Sequence, residues 1–262
     1  MPGTVRSAVR LEPAALQRLL PGVPAESLAT VTQLLSTVSL EALSPTRCAA
    51  WGDEPQRSYA AYTDAVLLQA RSPALDESSR HVQRLYTVLG EVAAALAPEA
   101  TSVWSLFRRP PPSPNAVYAS HRVEVDDLRH RLNGAIAHLE AMQAEFTALG
   151  ARGAVLRGQL ESHVMAAQVL ASLIAPRDSS CEQLLIDRGL SLARAAAHLR
   201  EGEVLRASHQ ARVADLAVVV RDVVLGALPA WLEQIAYIQT PTPTERYDLR
   251  QRIDAILLQL RR

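Results

Sequence analysis

The residues able to do chemistry in this chain are few and scattered. The densest group is His121, Glu124, Asp126, Asp127 and His130, the imidazoles and carboxylates that ligate divalent metals or move protons. Their spacing argues against a metal. There is no HExxH, and His121 and His130 stand nine residues apart, which turns them to opposite sides of a helix. His198 and His209, eleven apart, share a face but lie too many turns apart to hold one ion. His163 falls on an apolar seam and reads as a polar residue that sets register. No metal site is expected.

Nucleophilic and nucleotide chemistry find no better footing. There is no GxSxG, and neither Cys48 nor Cys181 has a local sequence that would activate a thiolate. GxGxxG and GxxxxGK[ST] are absent, and the chain has no lysine for a phosphate loop or a Schiff base. Two carboxylate pairs remain, Asp126 with Asp127 and Asp215 with Asp222. The second lies beside Arg212 and Arg221 and reads as the polar edge of a buried helix. The expectation is a non-enzymatic protein with no catalytic residue and no cofactor.

Arginine is the one reactive type in excess. Arg194, Arg206 and Arg212 recur along one stretch, and Arg108-Arg109 adjoin a proline run, which supports direct oxyanion binding as an alternative reading. Against it, 27 basic residues face 27 acidic ones, enough to pair them all. The same balance removes the electrostatic case for nucleic acid. Two distant cysteines make no disulfide framework, no window is an uninterrupted apolar span, and the first residues lack an apolar signal core. These features point to the cytoplasm.

The elements that must carry these residues read as helices throughout. No segment alternates with period two between turn residues, so no sheet is expected. Short helices divided by proline fill residues 1–109. Pro13 and Pro24 suit first turns, Ser44-Pro45 a capped start and Gly52 a stop. One helix over 56–70 should bury Tyr59, Tyr62, Val66 and Leu67. Another over 77–96 should bury Val82, Leu85, Leu89, Val92 and Leu96. Three successive prolines in Arg108–Pro114 favour an extended spacer.

Beyond the spacer, Val125, Leu128, Leu132, Ala135, Leu139, Met142, Phe146 and Leu149 alternate three and four apart. The register continues through Gly153, Leu156, Leu160, His163, Ala167, Leu170 and Ile174. This spacing predicts a coiled-coil-like helix roughly 75 Å long at 1.5 Å per residue. Gly150, Gly153 and Gly158 mark where it should bend or break. A turn at 175–179, with Ser179 and Glu182 as a capping box, should send the next helix back antiparallel.

That helix leads into the most apolar run, Val213 to Ile238. Its stripe is Val213, Leu216, Ala217, Val220, Val223, Val224, Ala227, Leu228, Trp231, Ile235 and Ile238, with Val218, Val219 and Leu225 off it. Gly226 and Pro229 predict a kink, and Trp231 a core anchor filling the space it opens. Thr242-Pro243-Thr244-Glu245 should cap a last helix that buries Leu249, Ile253, Ile256, Leu257 and Leu260. An Asp248–Arg252 pair would support it. Its arginines, Arg246, Arg250, Arg252, Arg261 and Arg262, raise contact with a membrane surface as a further alternative.

The order of these features resembles the toxic-anion (tellurite) resistance family of bacteria, the TelA/KlaA-like proteins. Trp51-Gly52 with Gln56, Ser58, Asp64 and Leu67 is similar to the family's Tyr-Gly…Gln…Phe-Ser-Asp…Leu segment. Ser105-Leu106-Phe107, then Val125-Asp126 and Leu139-Glu140, resemble its next block. His163 to Ala167 stands where the family has Tyr-Ile-Ala-Ala-Gly, and Leu192-Ala193-Arg194 resembles Leu-Ser-Arg. Leu228-Pro229-Ala230-Trp231-Leu232-Glu233-Gln234 resembles Ile-Pro-Leu-Trp-Lys-Asn-Gln. Leu232 and Glu233 depart from that motif, the family's Pro-Gln-Ile-Arg has no counterpart, and fewer helices follow. The chain reads as a divergent, C-terminally shortened member.

The resemblance implies a cytoplasmic, stress-associated helical protein with no catalytic residues to carry over, and Arg194, Pro229, Trp231 and Gln234 as a candidate interaction surface. The expected fold is all-α, an elongated bundle with a long antiparallel coiled-coil-like hairpin. Its regions are a short-helix part (1–109), the hairpin with the central apolar helix (115–239), and a terminal helix (244–262). The expected function is a non-enzymatic scaffold in a stress response. It would bind other proteins or self-associate through the heptad seam.

Overall fold

A computed structural model describes residues 9, 11–97, 113–237 and 241–261, and every regular element among them is helical. In chain order they are α1 (Pro13–Leu19), α2 (Ala25–Ser36), a 3-10 turn (Leu40–Ala42), α3 (Pro45–Ala49), α4 (Asp53–Ala70), α5 (Pro73–Ala95) and α6 (Pro114–Ile174). Then follow α7 (Ser179–Val218), a π-helical segment (Val219–Ala227), α8 (Leu228–Tyr237) and α9 (Pro243–Leu260). The all-α class is as the sequence predicts, and α6 and α7 pack antiparallel.

Proline and small polar residues set the starts. Pro13, Pro45, Pro73 and Pro243 all occupy first-turn positions, where a missing N–H leaves no bond unmade. Ser44 accepts the Arg47 N–H through its hydroxyl, as expected. The Thr242–Glu245 capping box is complete, each side chain accepting the other's backbone N–H. Two starts differ from expectation. Asp178 rather than Ser179 caps α7, its Oδ1 accepting the N–H groups of Ser180 and Cys181 at 2.9 and 3.0 Å. A carboxylate one residue earlier reaches two donors at once and adds favourable charge at the helix N-terminus. α6 begins at Pro114, with Ser113 accepting the Ala116 N–H, so its start lies inside the expected spacer. Ser105–Phe107, Arg108–Pro112, Ile238 and Arg262 lie outside the described residues.

Contacts divide the chain into two units, each built from separated segments. Unit 1 comprises Met1–Ala70 and Thr147–Ala207. One of its cores joins Leu16, Val31, Leu35 and Cys48 to Val169, Leu170, Ile174, Cys181 and Leu185. A smaller one gathers Tyr62, Leu149, Leu156, Leu160, Leu192 and Leu199. Two glycines make this packing feasible. Gly52 has φ +71°, and a Cβ there would meet Leu192 Cδ1 at 2.5 Å. A Cβ on Gly153 would stand 2.8 Å from the Tyr62 hydroxyl. Helix α6 runs unbroken through the three glycines, because close approach of Tyr62 offsets the low helix propensity at Gly153.

Unit 2 comprises Arg71–Phe146 and Ser208–Arg262 and has one continuous core. α5 contributes Val82, Leu85, Leu89, Val92 and Leu96, all buried as predicted. α9 contributes Leu249, Ile253, Ile256 and Leu260, with Leu257 half-buried. Trp231 is the largest buried side chain, 2 % exposed, and its indole N–H donates to the Leu249 carbonyl at 3.1 Å.

Proline 229 is accommodated without a simple kink. The preceding residues widen into π-helix, and the Leu228 N–H reaches back to Val223. Wider turns carry the carbonyl that a proline ring would strike out of its way. They also shift register, so Ala227 is exposed and Val219 buried, the reverse of the straight-helix stripe. Two further expectations are corrected. Leu67 is 47 % exposed, since α4 turns Tyr62 inward and only half-buries Tyr59 and Val66. On α9 the i,i+4 pair is Arg250–Asp254 at 2.8 Å, because Arg250 also donates to the Ala93 carbonyl and is held in place; no Asp248–Arg252 pair forms.

Candidate functional site

Of the His121–His130 group, four side chains enter ion pairs and His130 is exposed. His121 Nε2 lies 2.9 Å from Glu91, and Arg84 grips Glu124 with two nitrogens at 2.5 and 2.9 Å. Arg84 holds the Glu124 carboxyl below its ordinary range. Asp126 and Asp127 face Arg129 and Arg131. The cluster is therefore a charge network joining α5 to α6, a cross-helix role that spacing within one helix could not reveal. No group of three or more potential metal ligands occurs among the described residues.

His163 donates from Nδ1 to the Gln159 carbonyl, and its own carbonyl accepts the Trp51 indole N–H at 3.0 Å. Arg188 fastens the same corner, donating to the Trp51 carbonyl and to Asp53. A cleft of about 380 Å³ beside it is lined by Thr30, Gln33, Thr37, Glu54, Ser58, Gln159, Ser162 and His163 together with Leu34 and Pro55. Thr30, Thr37, Ser162 and His163 bond carbonyls of their own helical turns.

The two cysteines, far apart in sequence, meet in the unit 1 core and share a hydrogen bond. Burial first, then the hydrogen bond to Asp178, pushes the Cys181 thiol up to about 12, and burial raises Cys48. Neither is the low-pKa, accessible thiolate that nucleophilic chemistry needs.

Among the arginines, Arg206 donates to the Tyr62 hydroxyl and Arg221 pairs with Glu140. Arg212 and Arg261 line a pocket of about 260 Å³ in unit 2 with Ser79, Gln83 and Asp215. Arg194 belongs to unit 1, and is exposed. Pro229, Trp231 and Gln234 belong to unit 2, where Trp231 is core and the other two are half-buried.

The surface that stands out is in unit 1. Along one face of α6 and α7 runs a shallow apolar groove of about 290 Å³, lined by Val164, Ala171, Leu185, Ile186, Leu190 and Ala193, with Gln168, Ser172 and Glu182 at its edge. Its floor is low because the helices meet through small side chains; a Cβ on Gly189 would lie 3.6 Å from that of Ala167. Ile186 and Leu190, 41 % and 54 % exposed, form its rim. A second hollow, about 480 Å³, shares Val164 and Ala193, reaches Ala196, Ala197 and the Arg200–Glu161 pair, and is also lined by Gly22, Val23, Pro24 and Ser27. A strip of this length and composition suits an apolar helix face.

No protein-family model, curated protein or solved structure matches the chain.

Sequence reasoning missed the groove. Its signal was present in LLIDRGLSLARAAA, where Leu185, Gly189, Leu192 and Ala196 form one apolar face and Ile186, Leu190, Ala193 and Ala197 another. A helix with two such faces has one more than a single partner can cover.

Proposed function

We propose that the protein is a non-enzymatic helical interaction protein, acting in a stress response of the kind the toxic-anion resistance resemblance implies. One observation carries the reading: in unit 1, Ile186 and Leu190 hold a second apolar face of α7 open beside a groove that no described residue fills. Contiguous exposed apolar faces mark interaction sites. The heptad seam of α6 supports no such role, since Leu132, Leu139, Leu160 and Leu170 are fully buried within the chain.

Leu190→Asp should leave helicity and thermal stability unchanged while abolishing partner capture, and should fail to restore tellurite tolerance to cells lacking the protein. A variant that keeps every partner and complements fully would end this reading.

Direct oxyanion binding keeps one supporting feature, the pairing of Arg212 with Arg261 in a single pocket. Calorimetry with tellurite, sulfate and phosphate at millimolar concentration tests it, and absence of heat in the wild-type protein removes it. Membrane contact through α9 is weaker, because its apolar side is in the unit 2 core. No described helix is long and apolar enough to cross a membrane.

A further inference from the structure

The proposed interaction surface has the pattern of a self-complementary seam, and we infer that its occupant is α7 of a second copy of this chain, packed antiparallel about a twofold axis between Leu190 and Ala193. This rests on the reading of the groove as an interaction site.

Ile186, Leu190, Ala193 and Ala197 are spaced four, three and four apart, which is a two-heptad stripe. Gln183 and Arg200 occupy the next positions on the same stripe and end the apolar stretch on both sides. Beside the stripe, Asp187 and Arg194 stand seven residues apart, so both lie on one flank with opposite charge. Asp187 accepts a hydrogen bond from Gln183 at 3.0 Å, and Arg194 enters no ion pair among the described residues.

In an antiparallel pair, equivalent flanks meet. Stacking Leu190 on Ala193 and Ile186 on Ala197 sets Asp187 of one copy against Arg194 of the other, twice by symmetry. A parallel pair would instead set Arg194 beside Gly189 of the second copy. Only the antiparallel arrangement brings the Asp187 carboxylate to it. On the opposite flank, Gly189 and Ala196 are small enough to let the second helix settle into the groove beside α6.

Sedimentation equilibrium on the full chain tests this. The wild-type protein should move from 28.5 kDa toward twice that mass as concentration rises to about 0.5 mM. Asp187→Arg and Arg194→Asp should each weaken association about tenfold, and the two together should restore it. Circular dichroism confirms that each variant is folded. A wild-type monomer throughout, single variants that associate normally, or a double variant without rescue each overturns the inference. If the wild-type chain is monomeric yet Leu190→Asp still loses a different partner, only self-association falls and the interaction reading stands.

Discussion

Units 1 and 2 solve the same packing problem with different side chains. Unit 2 fills its interior with branched aliphatics and an indole, and its helices close around one core. Unit 1 brings helices together where side chains are small or absent, at Gly52, Gly153 and Gly189, and divides its interior into two cores. Large residues at a helix crossing hold the backbones apart and are themselves covered. Small ones let the backbones close up and leave a shallow, apolar hollow beside the contact. The groove in unit 1 is therefore a by-product of how that unit is packed.

The contrast makes the two units break differently. Trp231→Ala in unit 2 removes the largest buried side chain and its hydrogen bond to the Leu249 carbonyl, so denaturant unfolding should show a loss of about 3–5 kcal/mol. Gly52→Ala in unit 1 adds a single methyl, yet should cost about 2–4 kcal/mol, because it strains a positive φ and drives into Leu192. If Gly52→Ala proved neutral, close approach through small residues would not be what holds unit 1 together. The smallest effect concerns pH. Hydrogen bonds from backbone N–H groups lower the carboxyl pKa of Asp178, chiefly from Cys181, and of Glu245, chiefly from Thr242. Stability from a depressed carboxyl is fully present above its unfolded pKa and is lost as pH falls through the folded value. Urea midpoints should therefore decline below about pH 4, with a shallower slope in Asp178→Ala or Glu245→Gln.

Much of this was legible beforehand because it depends on local chemistry. The Thr242 box, the Ser44 cap and the buried rows of α5 and α9 follow from spacing within one helix. What spacing could not supply was partnership between distant segments. Spacing around Glu124 argues against a metal but cannot show Arg84, which α5 brings to it, and Cys48 meets Cys181 only through the fold. Gly153 read as a weak point because propensity counts its missing side chain and not the Tyr62 ring that fills the vacancy. Trp231 was a candidate on two grounds, and burial leaves it the role of core anchor. Ile186 and Leu190 stand on one of two apolar rows of α7, and only the fold decides which row a neighbouring helix covers.

The widened turns at Val219–Ala227 act as a phase setting for everything downstream. Each residue advances an α-helix by about 100°, so shortening this segment by one would rotate α8 by that amount. Leu228 would take the exposed place of Ala227, and Trp231 that of Ala230, with its ring in water. Length here is as constrained as composition, although no individual side chain between Val219 and Ala227 announces it.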